Sequence, residues 1–254
     1  MKSLKDKLNT SCLTIGSWIT LAHPAIAEIM AKAGFDWIAV DLEHSVITIR
    51  EAEELIRVIS LCGVAPLVRL TSVDHDQIKR VMDAGAHGIV VPMVKSRDEA
   101  RQAIEAMYYP MRGRRSVSLA RAQGYGVKFD EYRQWLDDHG VVIVQIEHIE
   151  AVHHLESILS LEGIDGYIIG PYDLSASMGL PGQLDHPAVV AAIEEVRNVG
   201  SAMNKPGGVH IVEPDLEKLR CYIKEGFTFI AYSVDFRMID TVCRTGLLAI
   251  GRGE

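Results

Sequence analysis

Asp41, Glu43 and His44 close an apolar run, Trp37-Ile38-Ala39-Val40, in the stretch FDWIAVDLEHSV. Burying two carboxylates and an imidazole at the end of a strand is costly unless a site uses them. The pattern recurs along the chain. Arg69 follows Pro66-Leu67-Val68, Gln145 and Glu147 end VVIVQIE, and Asp173 follows GYIIGPY. Glu147 and Asp173 fall at the ends of neighbouring strands, and carboxylates brought together repel unless they share a proton or a cation. Oxygen-only ligands suit a hard octahedral ion: Mg²⁺, Mn²⁺ or Co²⁺. A guanidinium at position 69 suits a carboxylate or a developing enolate oxygen. Imidazole titrates near neutrality, which fits His44 for proton transfer. Each residue also has a plainer account. Glu147 would pair with Arg69, Asp173 would cap a helix turn starting at Ser175, Arg69 would pair with Asp41 or Glu43, and His44 would be hydrogen-bonded or solvated.

Such residues need a scaffold that gathers strand ends on one face. Eight β-rich runs supply the strands, at 13–20, 37–42, 66–70, 88–93, 141–147, 166–170, 206–211 and 227–234. Their apolar residues are continuous, as in parallel strands covered on both sides. Helical patterns lie between them, at 49–61, 76–84, 98–107, 187–203 and 214–225. Eight such units in about 250 residues predict an α/β fold, a single (β/α)8 TIM barrel over residues 1–254, with a doubly wound open sheet as the alternative. Residues 108–140 read as an inserted loop and extra helix between the fourth and fifth strands. The catalytic face of such a barrel lies at the C-terminal ends of the strands. His44 is the only histidine expected at a strand end there, whereas His148, His153 and His154 read as solvated.

Composition narrows the partners. The 254-residue chain carries a net charge of −8, which disfavours nucleic acid and anionic lipid. No apolar run is long enough to span a bilayer. Lys2, Lys5 and Lys7 before the Leu13–Ala27 stretch sketch a signal peptide, but Ser17, Thr20, His23 and Pro24 interrupt it. Cys12, Cys62, Cys221 and Cys243 are widely spaced with no CxxC pair, and read as small buried side chains in a reducing cytoplasm. The sixth strand, GYIIG, has no lysine for Schiff-base chemistry, and Lys95 falls at a solvent-facing helix start. Gly207-Gly208 precede the seventh strand's apolar part, at the wrong end for a phosphate site. There is no Walker A or GxGxxG turn.

The motifs VDLEHS (40–45), LVRL (67–70), GAHGIVVPMV (85–94), YPMRGRRS (109–116), QIEHIEA (145–151) and GPYDLSASMGLPGQ (170–183) together resemble the HpcH/HpaI aldolase family. The matches run in order over essentially the whole chain. The resemblance implies a barrel of the phosphoenolpyruvate/pyruvate-binding type whose C-terminal helix packs on a neighbouring subunit, giving a homo-trimer or hexamer. It implies a divalent-metal-dependent class II aldolase that splits a 4-hydroxy-2-oxo acid into pyruvate and an aldehyde through an enolate. Carried over by position, Glu147 and Asp173 hold the metal, Arg69 stabilises the enolate oxygen and His44 moves the proton. Asp83 raises that histidine's basicity. Gln145 and the backbone at Tyr172 hold pyruvate, and Asp41 and Glu43 orient these groups.

Two departures stand out, namely Tyr172 where a small residue is usual, and Met111 where the turn usually has a second proline. Arg112, Arg114 and Arg115 flank that turn and read as a solvated loop, with attraction of an acidic substrate as the alternative. Competing functions on the same fold are a lyase of the citrate lyase β-chain or malyl-CoA type, and a non-catalytic barrel that binds small acids.

Overall fold

The computed structural model describes residues 2–252. Its strands are β1 (Thr14–Ile19), β2 (Trp37–Asp41), β3 (Ala65–Arg69), β4 (Gly88–Val91), β5 (Val141–Ile146), β6 (Gly166–Ile169), β7 (Gly207–Ile211) and β8 (Phe229–Val234). All pair in parallel in chain order, and β8 returns to β1, so the sheet is a closed barrel and the open-sheet alternative falls. The helices are α1 (Leu4–Asn9), α2 (Pro24–Lys32), α3 (Ile49–Leu61), α4 (His75–Asp83), α5 (Arg97–Met107), α6 (Phe129–His139), α7 (Ile149–His153), α8 (Leu155–Leu159), α9 (Pro171–Ser177), α10 (Pro187–Ala202), α11 (Leu216–Lys224) and α12 (Asp235–Leu248). No helix among the described residues is long and apolar enough to cross a membrane.

Period-two alternation divides each strand between two cores. Ile38 and Val40, Val68, Ile89 and Val91, and Val142 and Val144 face the helices. Trp37, Ala39, Leu67, Val90, Val141, Ile143, Ile168, Phe229 and Ala231 fill the barrel interior. There Trp37 stacks on Phe229 at 4.3 Å and meets the edge of Trp18 at 6.1 Å. A Cβ at Gly16 would lie 2.0 Å from the Trp37 ring, so β1 passes that indole only because position 16 has no side chain.

The same parity decides which residues face inward at the mouth. Counting on from Trp37 and Ala39 gives Asp41, from Ala65 and Leu67 gives Arg69, and from Val141 and Ile143 gives Gln145. The floor is closed by α1. Its Leu4 and Leu8 join the interior core, Lys5 bonds the Gly140 carbonyl at 2.8 Å and pairs with Asp165 at 3.2 Å, and Lys7 pairs with Asp36. Two of the three lysines in the signal-peptide outline thus anchor this floor.

Two expectations need correction. Cys12, Cys221 and Cys243 are exposed and Cys62 is partly buried, so the cysteines are not core side chains; all four are free thiols. Arg115 is not in a solvated loop. It is fully buried, with its Nη2 donating to Asp83 at 2.5 Å and its Nη1 to Tyr132 at 3.1 Å. Arg112 stacks on Tyr108 at 3.6 Å and Arg114 pairs with Glu105 at 3.1 Å. Met111 has φ 86° in a turn closed by the Arg112 N–H to the Tyr109 carbonyl. A proline, locked near −65°, cannot adopt that conformation, which gives the departure at this position a structural counterpart.

Candidate active site

At the C-terminal ends of the strands, Trp18, His44, Arg69, Gln145, Gly170, Tyr172, Asp173 and His210 surround a cavity of about 240 Å³. Arg69 is fixed on two sides. Its Nε donates to Asp41 Oδ1 at 2.9 Å and its Nη2 to Oδ2 at 2.6 Å, while the guanidinium lies 4.3 Å over the Trp18 ring. A planar fork matched to a carboxylate and backed by an indole has little rotational freedom left. Asp41 also accepts the backbone N–H groups of Glu43 and His44 at 3.0 and 3.2 Å. Burial alone would raise its pKa, but the Arg69 fork and these N–H groups outweigh it and hold the carboxyl below the usual range. The plainer account of Arg69, an ion pair with Asp41 or Glu43, is therefore realised with both, the Glu43 carboxylate lying 3.4 Å from Nε.

Its counterpart for Glu147 is not. Glu147 is buried and makes no hydrogen bond or ion pair with Arg69. Its Oε1 accepts the Met93 N–H at 2.6 Å, and its Oε2 accepts from the Gln145 amide. Met93 takes a left-handed φ of 52° at the end of β4, which aims its N–H at this carboxylate. Burial pushes Glu147 up to about 7, and the neighbouring Glu43 and Asp173 carboxylates add to the rise. Burial likewise pushes Glu43 up to about 7, offset in part by Arg69 and increased by Asp41 and Asp173. Asp173 stands in the first turn of α9 and is exposed; no side chain caps that helix. Neither plain account of the Glu147 and Asp173 pair is thus met.

These residues fit a hard divalent cation. Gln145 Oε1 is sealed from solvent without a hydrogen-bond partner, and Glu43 Oε2 has only the looser approaches of Arg69 Nε at 3.4 Å and His44 Nε2 at 3.5 Å, beside carboxylates that raise the pKa of Glu43 and Glu147. Gly170 leaves the room for it, since a Cβ there would meet Glu147 Oε2 at 2.5 Å. Among the described residues no group of three or more His, Cys, Asp or Glu is placed to hold a metal ion. Two carboxylates with open positions suit an ion that also binds water and substrate.

His44 lies on the loop after β2, exposed, with its Nε2 3.5 Å from Glu43 Oε2. Tyr172 is the second residue of α9, with its ring mostly in solvent at the cavity rim, and its backbone N–H is one of the first-turn donors without an intrahelical acceptor. Asp83 is not brought to His44 within the chain. It ends α4, which leads back toward the barrel floor, and it binds Arg115 and, at 3.2 Å, Ser118. His210, absent from the sequence-derived set, lines the cavity from β7. Its signal was parity: position 210 follows Gly208 on the inward face of a strand taken to end at Ile211.

A profile of the family described as HpcH/HpaI aldolase/citrate lyase matches residues 14–240. A 4-hydroxy-2-oxo-heptane-1,7-dioate aldolase of Salmonella arizonae is 40% identical over 239 residues, covering 93% of this chain and 90% of that protein. A hydroxypyruvate/pyruvate aldolase of Sagittula stellata is 40% identical over 238 residues, covering 93% of each. The solved structure of an HpcH/HpaI aldolase/citrate lyase family protein from Burkholderia cenocepacia J2315 superposes with a TM-score of 0.91 at 30% identity, covering 97% of this chain and 98% of that one. The barrel and the aldolase class expected from the motifs both stand with these relatives. The chain belongs to the HpcH/HpaI aldolase/citrate lyase family.

Proposed function

We propose that this chain is a divalent-metal-dependent class II aldolase that reversibly cleaves a 4-hydroxy-2-oxo acid into pyruvate and an aldehyde. The observation that carries this reading is the clamped Arg69 facing the same small cavity as Gln145, Asp173 and His44, with Glu147 bonded to Gln145 at its base. Glu147 and Asp173 would hold Mg²⁺, Mn²⁺ or Co²⁺, which supplies Lewis-acid stabilisation of the charge developing on the keto oxygen.

The chain's own residues do the rest. Arg69, with Nε and Nη2 bonded to Asp41, keeps Nη1 for the keto oxygen, and its guanidinium is held in place before substrate arrives. Gln145 and the Tyr172 N–H orient the acid. In cleavage His44 removes the proton of the 4-hydroxyl, the C3–C4 bond breaks to release the aldehyde, and the enolate then takes a proton at C3 to become pyruvate. Glu43, 3.5 Å from His44 Nε2, orients that imidazole. A cavity of about 240 Å³ suits an acid of a few carbons better than one carrying a coenzyme A tail, which favours an aldolase over a malyl-CoA-type lyase. The reading extends to a cytoplasmic homo-trimer or hexamer, because α12 exposes Phe236, Ile239, Val242, Leu247 and Leu248 and needs a cover.

The test is pyruvate in D₂O with Mg²⁺ or Mn²⁺, and separately with EDTA, with the methyl signal followed by NMR. Metal-dependent deuterium uptake is expected. Exchange that persists in EDTA would point to lysine chemistry, and no exchange in any condition would favour the lyase or the binding protein.

A further inference from the structure

A second cavity, of about 560 Å³, lies at the opposite end of the barrel from the catalytic one. Gly85 and His87 line it just before β4, whereas Met93, past the far end of the same strand, bonds Glu147. Arg121, Tyr125, Tyr132 and Trp135 complete its wall. Arg121 opens a short 3-10 turn, Arg121–Gln123, which is braced by the Ala120 N–H to Gln123 Oε1 at 2.9 Å. Its guanidinium is anchored on one side only. Nη1 donates to the Ala84 carbonyl at 2.8 Å and lies against Gly85, where a Cβ would come within 2.4 Å of it.

The other edge of that guanidinium is free. Among the described residues Nε and Nη2 have no hydrogen-bond partner, and neither is sealed from solvent. The one carboxylate on the wall, Glu131, pairs with Lys128 at 3.4 Å, and Glu53 is taken by Arg57 at 2.6 Å. Burial, then the positive Arg57 nearby, hold Arg121 below the usual arginine range, as befits a cation without a counter-charge. The Nε–Nη2 edge is the one through which Arg69 grips both oxygens of Asp41, so it has the shape of a carboxylate. A phosphate dianion is a poorer match, because Lys128 is already paired and His87 is neutral, pushed down to about 4 chiefly by burial. Beside the free edge stand aromatic rings. Trp135 meets His87 edge-on at 4.7 Å and stacks with Tyr132 at 5.9 Å. Tyr125 is 68% exposed, on a left-handed φ of 58° fixed by its N–H to the Ala120 carbonyl at 2.9 Å. Such a wall takes the face or edge of a flat apolar ring.

We propose that this floor cavity binds an aromatic carboxylic acid, with the carboxylate on the Nε–Nη2 edge of Arg121 and the ring against Trp135. The site is separated from the catalytic cavity by the length of β4. It needs no metal, and it does not rest on the aldolase reading.

The test titrates the intact protein with benzoate in EDTA, and in parallel with benzamide, which has the ring without the charge, and with inorganic phosphate. The ring resonances of His87 and His210 are followed by NMR, one histidine for each cavity. Benzoate should move the His87 signal saturably, with a Kd of about 1 mM or below, and leave His210 silent. Benzamide and phosphate should each bind about tenfold more weakly or not at all. Arg121→Gln, and Arg121→Lys, which keeps the charge but not the fork, should each weaken benzoate by about tenfold or more. Trp135→Phe should remove the change in tryptophan fluorescence that benzoate causes. The wild-type titration decides the matter even if a variant folds poorly. A shift at His210 in place of His87 would put the carboxylate on Arg69 and overturn the assignment. Equal binding of benzamide or phosphate, undiminished binding by Arg121→Gln, or no saturable shift at His87 by about 20 mM would overturn it too.

Discussion

Gly170→Ala tests the cation site by geometry alone. Gly170 has φ −104° and ψ 86°, a conformation that alanine tolerates, so the effect of the substitution is steric. The new Cβ would lie 2.5 Å from Glu147 Oε2, 2.8 Å from Glu147 Cβ and 3.4 Å from Gln145 Nε2. The first contact is closer by roughly 1 Å than ordinary van der Waals contact, so Glu147 or the β6 backbone has to give. Metal–oxygen distances tolerate about 0.2 Å. A ligand displaced several times further should cost about 10- to 100-fold in Mn²⁺ affinity. Overpacking should also cost about 1–3 kcal/mol of stability, a shift of several degrees in Tm for a chain of this size. The assay is calorimetric Mn²⁺ titration beside thermal melts in EDTA, so that site and scaffold are read separately. A variant that melts early yet binds Mn²⁺ like the wild type would move the cation away from Glu147. Unchanged melting and affinity together would mean that Gly170 does not crowd the carboxylate at all.

Arg69→Lys keeps the charge but loses the fork to Asp41 and the Trp18 stack, so kcat for metal-dependent pyruvate exchange should fall by about 100-fold or more; a near wild-type rate would remove Arg69 from the chemistry. Asp83→Asn leaves the fully buried Arg115 without its counter-charge and should cost about 3 kcal/mol in urea unfolding, whereas a stable variant with an altered pH–rate profile would return Asp83 to the proton-transfer machinery. Burial, then the nearby Arg121 and His139, push His87 down to about 4. Its folded pKa thus lies below the unfolded value near 6.5, so its stability contribution is complete above that pH and is lost as pH falls toward 4. Between pH 8 and pH 5 the wild type should lose about 2 kcal/mol more than His87→Gln, and parallel stability–pH curves would show that His87 does not titrate on unfolding.

The barrel was legible because its strands are covered on both sides and read as unbroken apolar runs, with boundaries within two residues of those observed. The 49–61 helix was fixed at both ends, its start carrying a Thr48–Glu51 capping box. The first two helices were harder to see. With six residues, α1 shows only Leu4 and Leu8 of a helical period, and its role as a floor is a tertiary fact. His23 and Pro24 appeared to break an apolar stretch, but they are the N-cap and first residue of α2, a start signal. At the site, Asp41, Arg69, Gln145, Glu147 and Asp173 were legible because a charged or amide side chain at the end of an apolar run is conspicuous. His210 was not, because Ile211 follows it and hides the strand end; only counting inward positions from Gly208 reveals it. Arg115 lies far along the chain from Asp83, and nothing local in GRRS signals that it is buried.

For Arg69 the plain reading and the catalytic one are not rivals. An unpaired guanidinium at the barrel mouth would sample many rotamers and would lose that freedom on binding substrate. The two parallel bonds to Asp41 hold the plane and neutralise much of the charge, and Trp18 blocks one face. Nη1 has no hydrogen-bond partner among the described residues and is left for a ligand. The carboxylates across the mouth are set by the opposite device. Glu147 is held by the Met93 backbone N–H and an amide, which offset only part of its burial, so the carboxyl is pushed up to about 7. One side of the cavity thus has its charge paired within the chain, and the other does not. On the proposed aldolase reading, that asymmetry would give the enolate oxygen a rigid donor on one side and carboxylates for a divalent ion on the other.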